Sequence, residues 1–270
     1  MISITEDNKM LGYSLFQACP NISHFVTTRQ GGCGEGAYGT FNCTSYSGDN
    51  PENVLRNQQI LCGALSIHPK ELVIPFQTHG TEIGIIDSCY LALSEEEKQA
   101  YLQGKDALVS DVPGYALCIS TADCAPLLFY DKAKQVVAAA HAGWRGTVGR
   151  IADRTIEMMS RKFGSNPLDI LVSIGPSISL ESFEVGEEVW QSFSDAGFKM
   201  EKISKRNKDT GKWHIDLWEA NRIQLLTKGI PAENIELSGI CTYIYNDQFF
   251  SARRLGIKSG RILSGILLNS

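Results

Sequence analysis

An α+β fold with mixed sheets follows from three features of the 270-residue sequence. Apolar runs of strand length and runs with helical spacing are interleaved, without the strict strand–helix–strand alternation of a parallel sheet. No repeat of 20–50 residues and no low-complexity tract divides the chain. The length of residues 1–270 fits one large domain or two small ones, and a chain of this size buries about 70% of its unfolded surface, so its core needs no disulfides.

The elements follow in order. Residues 30–50 are rich in Gly, Ser and Asn and read as loops around short extended pieces. Residues 51–64 open with Pro51, suited to a first helical turn, and space Val54, Leu61 and Leu65 as one face. Residues 72–76 and 82–86 read as strands around Gln77-Thr78-His79-Gly80. Residues 93–103 form a helix, with Ser94 and Glu97 in capping-box spacing. Strands are expected over 107–109 and 115–120. A hairpin over 126–130 and 135–140 is closed by Asp131-Lys132-Ala133-Lys134. After His141, Gly143-Trp144-Arg145-Gly146 reads as a turn. A helix then starts near Thr147, with Ile151, Thr155, Ile156, Met159 and Phe163 on one face and Gly164 as its stop. Residues 170–173, 236–243 and 249–253 are further strand candidates, and 184–195 and 216–228 are helical.

Composition excludes several classes. The net charge is −5 and the Lys and Arg residues are scattered. Phosphate-backbone binding needs them concentrated, so a nucleic-acid binder is not expected. The densest group, Lys202, Lys205, Arg206 and Lys208, sits beside Glu201 and Asp209 and reads as a solvated loop. No apolar run is long enough to cross a membrane. The opening residues, MISITEDNKM, lack a basic and then apolar leader, so a cytoplasmic protein is expected. The eight cysteines include no Cys-x-x-Cys pair. In a long chain of this kind most should be reduced and buried as small apolar groups.

Chemistry concentrates around three of these residues. His79 and His141 each stand where a strand gives way to a glycine-containing turn, and Cys124 sits between two apolar strands. Three ligands from separate loop ends suit a catalytic zinc with its fourth position open. A core thiol with two hydrogen-bonded histidines fits the same spacing. Arg145 adds a guanidinium beside a helix N-terminus, where orphan N–H groups favour an anion; a plain capped turn is the alternative. Asp123 could orient a ligand or cap a turn. His214 before Asp216 reads as structural, and Met158 and Met159 as helix packing.

The motifs Thr27-Thr28-Arg29-Gln30-Gly31-Gly32, Phe41-Asn42, Gln77-Thr78-His79-Gly80 and Asp106-Ala107-Leu108-Val109 continue into the two most specific segments. Those are Thr121-Ala122-Asp123-Cys124 and His141-Ala142-Gly143-Trp144-Arg145-Gly146. With Phe183-Glu184-Val185-Gly186 and Ser251-Ala252-Arg253-Arg254, the chain resembles the YfiH-like, laccase-domain ("polyphenol oxidase") family over nearly its whole length. The resemblance implies one domain over residues 1–270, a four-layer α/β/β/α sandwich, and a zinc held by His79, Cys124 and His141. It also implies phosphorolysis of adenosine, inosine and methylthioadenosine, with phosphate as co-substrate, and deamination of adenosine. On the same basis Arg29, Asn42, Gln77 and Arg145 fall around the substrate, and Cys124, His141, Asp123 and Arg145 are the catalytic candidates. Thr78 stands where valine is common, and Ala252 where an aromatic often precedes the arginines. Two alternatives are a copper-dependent polyphenol oxidase and a Cys–His hydrolase or deamidase. A blue copper site usually adds an axial Met, and none lies near these motifs. His79 would have no task beside a Cys124 nucleophile activated by His141.

Overall fold

Alternation along the central strands leaves one face of each for another sheet and one for a helix, and the chain resolves this as four layers. A computed structural model describes residues 1–5, 7 and 9–269. The first sheet runs Ile2–Ser3, Met10–Gly12, Ile22–Thr27, Ile262–Leu268, Ala116–Thr121, Leu72–Val73. All its neighbours are antiparallel except the last pair. The second runs Ile235–Leu237, Ile170–Ile174, Ala125–Asp131, Val136–Ala142, Lys105–Ser110, Glu82–Ile85, antiparallel inside and parallel at both outer pairs.

Leu117, Ile119 and Ile266 of the first sheet meet Leu128, Val137 and Leu171 of the second in one buried layer. The far face of the second sheet packs Phe129, Ala138, Ala140 and Val172 against the helices Ile151–Phe163 and Leu217–Thr227. The far face of the first packs Phe25, Cys118 and Leu263 with Leu61 of the helix Pro51–Leu65. Each fully buried Leu, Ile or Phe in these layers stabilises the fold by about 1.5–3 kcal/mol. A third, small sheet (Glu184–Val185, Trp213–Ile215, Ser204–Arg206) closes over Phe183, Phe193 and Leu217. All eight cysteines are unpaired.

The capping box of Ser94 and Glu97 opens the helix Glu95–Leu102, and Gly164 ends Ile151–Phe163 at φ 72°. Several expectations need correction. Residues 249–253 are not a strand: Phe249 and Phe250 are buried, and the Ser251 hydroxyl accepts from Arg254 N to start the short helix Ala252–Leu255. The strand expected over 236–243 stops at Leu237, because the chain turns at Gly239 with φ 67°. Helix forms already at Trp144–Val148, capped by Gly143, and restarts at Ile151 after Arg150 takes a left-handed conformation. In 184–195 the first two residues are strand and the helix begins at Glu187. Only Leu72–Val73 of 72–76 is strand, and Lys205 and Arg206 lie on a strand rather than a loop.

Candidate metal centre and its pocket

The turn carrying Cys124 is where the chain passes from the first sheet to the second. Ala116–Thr121 ends in one sheet and Ala125–Asp131 begins in the other. Asp123 makes that crossing in a left-handed conformation, φ 85°. Beside it, His141 lies near the end of Val136–Ala142, opposite Pro126 in the register. His79 reaches the same point from the loop after Phe76, also left-handed, φ 62°. One donor atom from each of His79, Cys124 and His141 lies within 4.8 Å of the other two. His141 is buried, Cys124 half-buried and His79 exposed, so the cluster opens to solvent on one side.

Asp106 holds two of the three. Its carboxylate accepts from the backbone N–H of Thr78 (3.1 Å), His79 (3.0 Å) and Gly80 (2.7 Å), and pairs with His141 Nδ1 at 2.8 Å. Nδ1 is thereby committed, and Nε2 is left to face a metal. Burial opposes ionisation of Asp106, but His141 and those N–H groups outweigh it and hold the carboxyl below its usual range. Burial likewise opposes the Cys124 thiolate, yet the charge and hydrogen bonds of His141 and His79 bring the thiol below its ordinary value. His141 moves the other way, above the ordinary imidazole range, because Cys124 and Asp106 offset its burial.

This donor set fits a zinc. One thiolate and two imidazoles are its usual ligands, Asp106 is the carboxylate partner such histidines carry, and one side stays open. Gly143 completes the fit, since a Cβ there would lie 2.8 Å from Cys124 Sγ. A pocket of about 220 Å³ adjoins the cluster, lined among others by Tyr46, Gln77, Ser120, Ala252 and Arg261. No methionine is among its lining residues, which disfavours a blue copper centre.

The other candidates divide. Gln77 lines the pocket, but its amide is spent on Ser120: Nε2 donates to the carbonyl at 2.9 Å and Oε1 accepts from the N–H at 2.7 Å. Asn42 is fully buried behind the pocket, where its Oδ1 accepts from Arg261 N at 3.0 Å. Arg29 lies outside the lining; it donates to the carbonyls of Gly39 and Asn246 and covers the Phe250 ring. Arg145 is exposed, its guanidinium 4.3 Å from the Trp144 ring centroid. It belongs to the first turn of a five-residue helix rather than standing before one.

Asp123 has partners away from the cluster. Its oxygens accept from Thr242 Oγ1 and from Arg253 N, both at 2.7 Å, so it ties the Cys124 turn to the C-terminal segments. Asp106 takes the orienting role that the sequence left open. Arg261 was not singled out either. Recognising 262–268 as a strand paired with Thr121 would have placed it beside Ala122.

A family model described as "Multi-copper polyphenol oxidoreductase laccase" matches residues 23–269. A Bacteroides thetaiotaomicron protein named purine nucleoside phosphorylase is 58% identical over 269 residues, 100% of both chains. Adenosine deaminase RL5, from an unknown prokaryotic organism, is 44% identical over 91% of this chain and 93% of its own. A crystal structure of the Bacillus licheniformis protein YfiH superposes with a TM-score of 0.89 at 31% identity, covering 98% of each chain. With sequence, fold and the convergence of His79, Cys124 and His141 in agreement, the chain belongs to the YfiH-like, laccase-domain family.

Proposed function

We propose that the protein is a zinc-dependent purine nucleoside phosphorylase that also deaminates adenosine, and that it works in the cytoplasm. The observation that carries this reading is the convergence of three donor atoms within 4.8 Å beside an open pocket. The names of the relatives at 58% and 44% identity supply the substrate class. His79, Cys124 and His141 would hold the metal, which when bound would supply Lewis acidity to the site.

The chain's own residues set the stage. Asp106 fixes the His141 ring and the 78–80 loop, and the Gln77–Ser120 pair locks that loop to the first sheet. In phosphorolysis a phosphate oxygen bonds to the ribose C1′ as the bond to the base nitrogen breaks, releasing the base and ribose 1-phosphate. In deamination water adds at C6 and ammonia leaves. Arg145 is the phosphate-binding candidate. It follows His141 by four residues, in the first turn of Trp144–Val148, is exposed, and has no carboxylate paired with it among the described residues. Arg261 adds positive charge to the pocket wall, but its Nη1 and Nη2 donate to the carbonyls of Ser259, Gly260 and Ile257.

The test is adenosine turnover with and without phosphate, following adenine and inosine separately. Arg145→Ala should lower phosphate-dependent adenine release about ten- to a hundred-fold, the worth of one charge-assisted hydrogen bond, and should affect inosine release less. Adenine release that ignores phosphate would refute phosphorolysis. A second reading is favoured by the Asp106–His141–Cys124 chain, which is also the layout of a cysteine nucleophile with an oriented base. Full zinc content in the wild type and its loss in Cys124→Ala would decide for the metal. Stoichiometric copper would favour the oxidase named in the family description.

A further inference from the structure

The metal pocket is small for a nucleoside and a phosphate together. At about 220 Å³ it falls below the roughly 300–1,000 Å³ of ordinary ligand sites, so with phosphate also seated there part of the nucleoside lies outside it. Tyr46 shows where. It walls both this pocket and a neighbouring groove of about 530 Å³. Its hydroxyl donates to Gln77 Oε1 at 3.1 Å, and its ring packs against Phe76 with centroids 4.9 Å apart at 58°. Phe76 is 42% exposed, though it directly precedes the loop that carries His79. Leu72 and Ile74 add aliphatic surface to the groove, and Gln99 and Gln103 add amides from the helix Glu95–Leu102 and its end.

An aromatic pair, an aliphatic surface and amide groups together suit a flat heteroaromatic ring with a polar edge. The ring stacks by its π-face, and an amide offers both donor and acceptor to its edge. We propose that this groove is the base subsite: in phosphorolysis the ribose lies at the metal pocket and the purine lies against Tyr46 and Phe76. Amides that donate and accept serve 6-amino and 6-oxo purines alike. The smaller face of a pyrimidine stacks less.

This inference rests on the phosphorylase reading and makes a demand of its own. Deamination needs C6 at the metal pocket, so the base cannot lie along Phe76 in that pose. The test uses zinc-loaded protein, with metal content and circular dichroism matched between variants. Phe76→Ala should raise the KM for adenosine in phosphorolysis about tenfold, within the range of a lost base–aromatic stack, and weaken inhibition by free adenine equally. The KM for phosphate should stay within about twofold. The rise should be several-fold larger for adenine release than for inosine release, and Phe76→Trp should restore it. Wild-type activity with an unaltered adenosine KM and adenine inhibition in Phe76→Ala would overturn the base subsite alone. A wild type that turns over no nucleoside would overturn both readings. Since Phe76 is half in solvent, its truncation leaves the core intact.

Discussion

Asp106 shows what one carboxylate does when several weak constraints converge on it. Three backbone N–H groups and an imidazole point at two oxygens in a fully buried position. Asparagine there keeps the shape but turns an amide NH2 toward N–H donors and removes the charge behind His141. Asp106→Asn should therefore weaken zinc binding about ten- to a hundred-fold, the usual cost of losing such a partner. Competition against a chromophoric chelator measures it, and unchanged affinity in a folded variant would rule out the orienting role. The three candidate ligands were legible because each stands in the sequence where an apolar run gives way to a turn, with glycine or proline within two residues. Asp106 was not: it reads as an acid starting an apolar run, and only the fold brings it against His141. The partners of Asp123 were hidden for the same reason, since Thr242 and Arg253 are more than a hundred residues away.

Among the elements, those with local signals were readable. The helix Pro51–Leu65, the capping box at Ser94 and the hairpin around residues 131–134 depend on neighbours in sequence. The strand Ile262–Leu268 depends on distant ones. It is buried along its whole length between Ile22–Thr27 and Ala116–Thr121, and Gly265 at its centre weakens any strand signal. Packing explains that glycine, because a Cβ there would lie 2.5 Å from the Phe25 ring and 3.0 Å from Cys118 Sγ. Gly265→Ala should thus lower stability by about 1–3 kcal/mol through overpacking, in spite of alanine's better backbone entropy. Urea unfolding gives the value. A variant as stable as the wild type would mean that Phe25 can move aside without cost. Trp144–Val148 shows the opposite limit: Gly143 and Gly146 read as a turn, yet the segment winds as helix, with Thr147 buried and accepting from Asn221.

At the scale of the molecule, the layering came from the resemblance and not from periodicity, which cannot say that the first sheet closes only through its C-terminal strand. His24 sits where that closure is made. It lies on Ile22–Thr27 opposite Ile266, its ring 5.2 Å from that of Phe16 and its Nε2 3.2 Å from the Tyr13 carbonyl. Burial lowers its pKa to about 4, from an ordinary value of 6.5. Between those values the unfolded chain binds a proton that the folded chain refuses, so stability must rise with pH across that window. Read downward, the contribution is whole above about pH 6.5, is lost progressively toward pH 4, and falls no further below it. Its full size is about 3 kcal/mol. Asp106, held below its usual range, loses its own contribution only under more acid conditions. Asp153 and Asp216, raised by burial, act with the opposite sign. These groups are common to the wild type and to His24→Gln, where the amide can still donate to Tyr13 but does not titrate. The difference between the two proteins therefore isolates His24. Urea denaturation at pH 7 and pH 4.5 should show the wild type losing about 2 kcal/mol more than the variant over that interval. Parallel losses would mean that His24 takes up its proton in the folded state, and that the seam beside the C-terminal strand admits water.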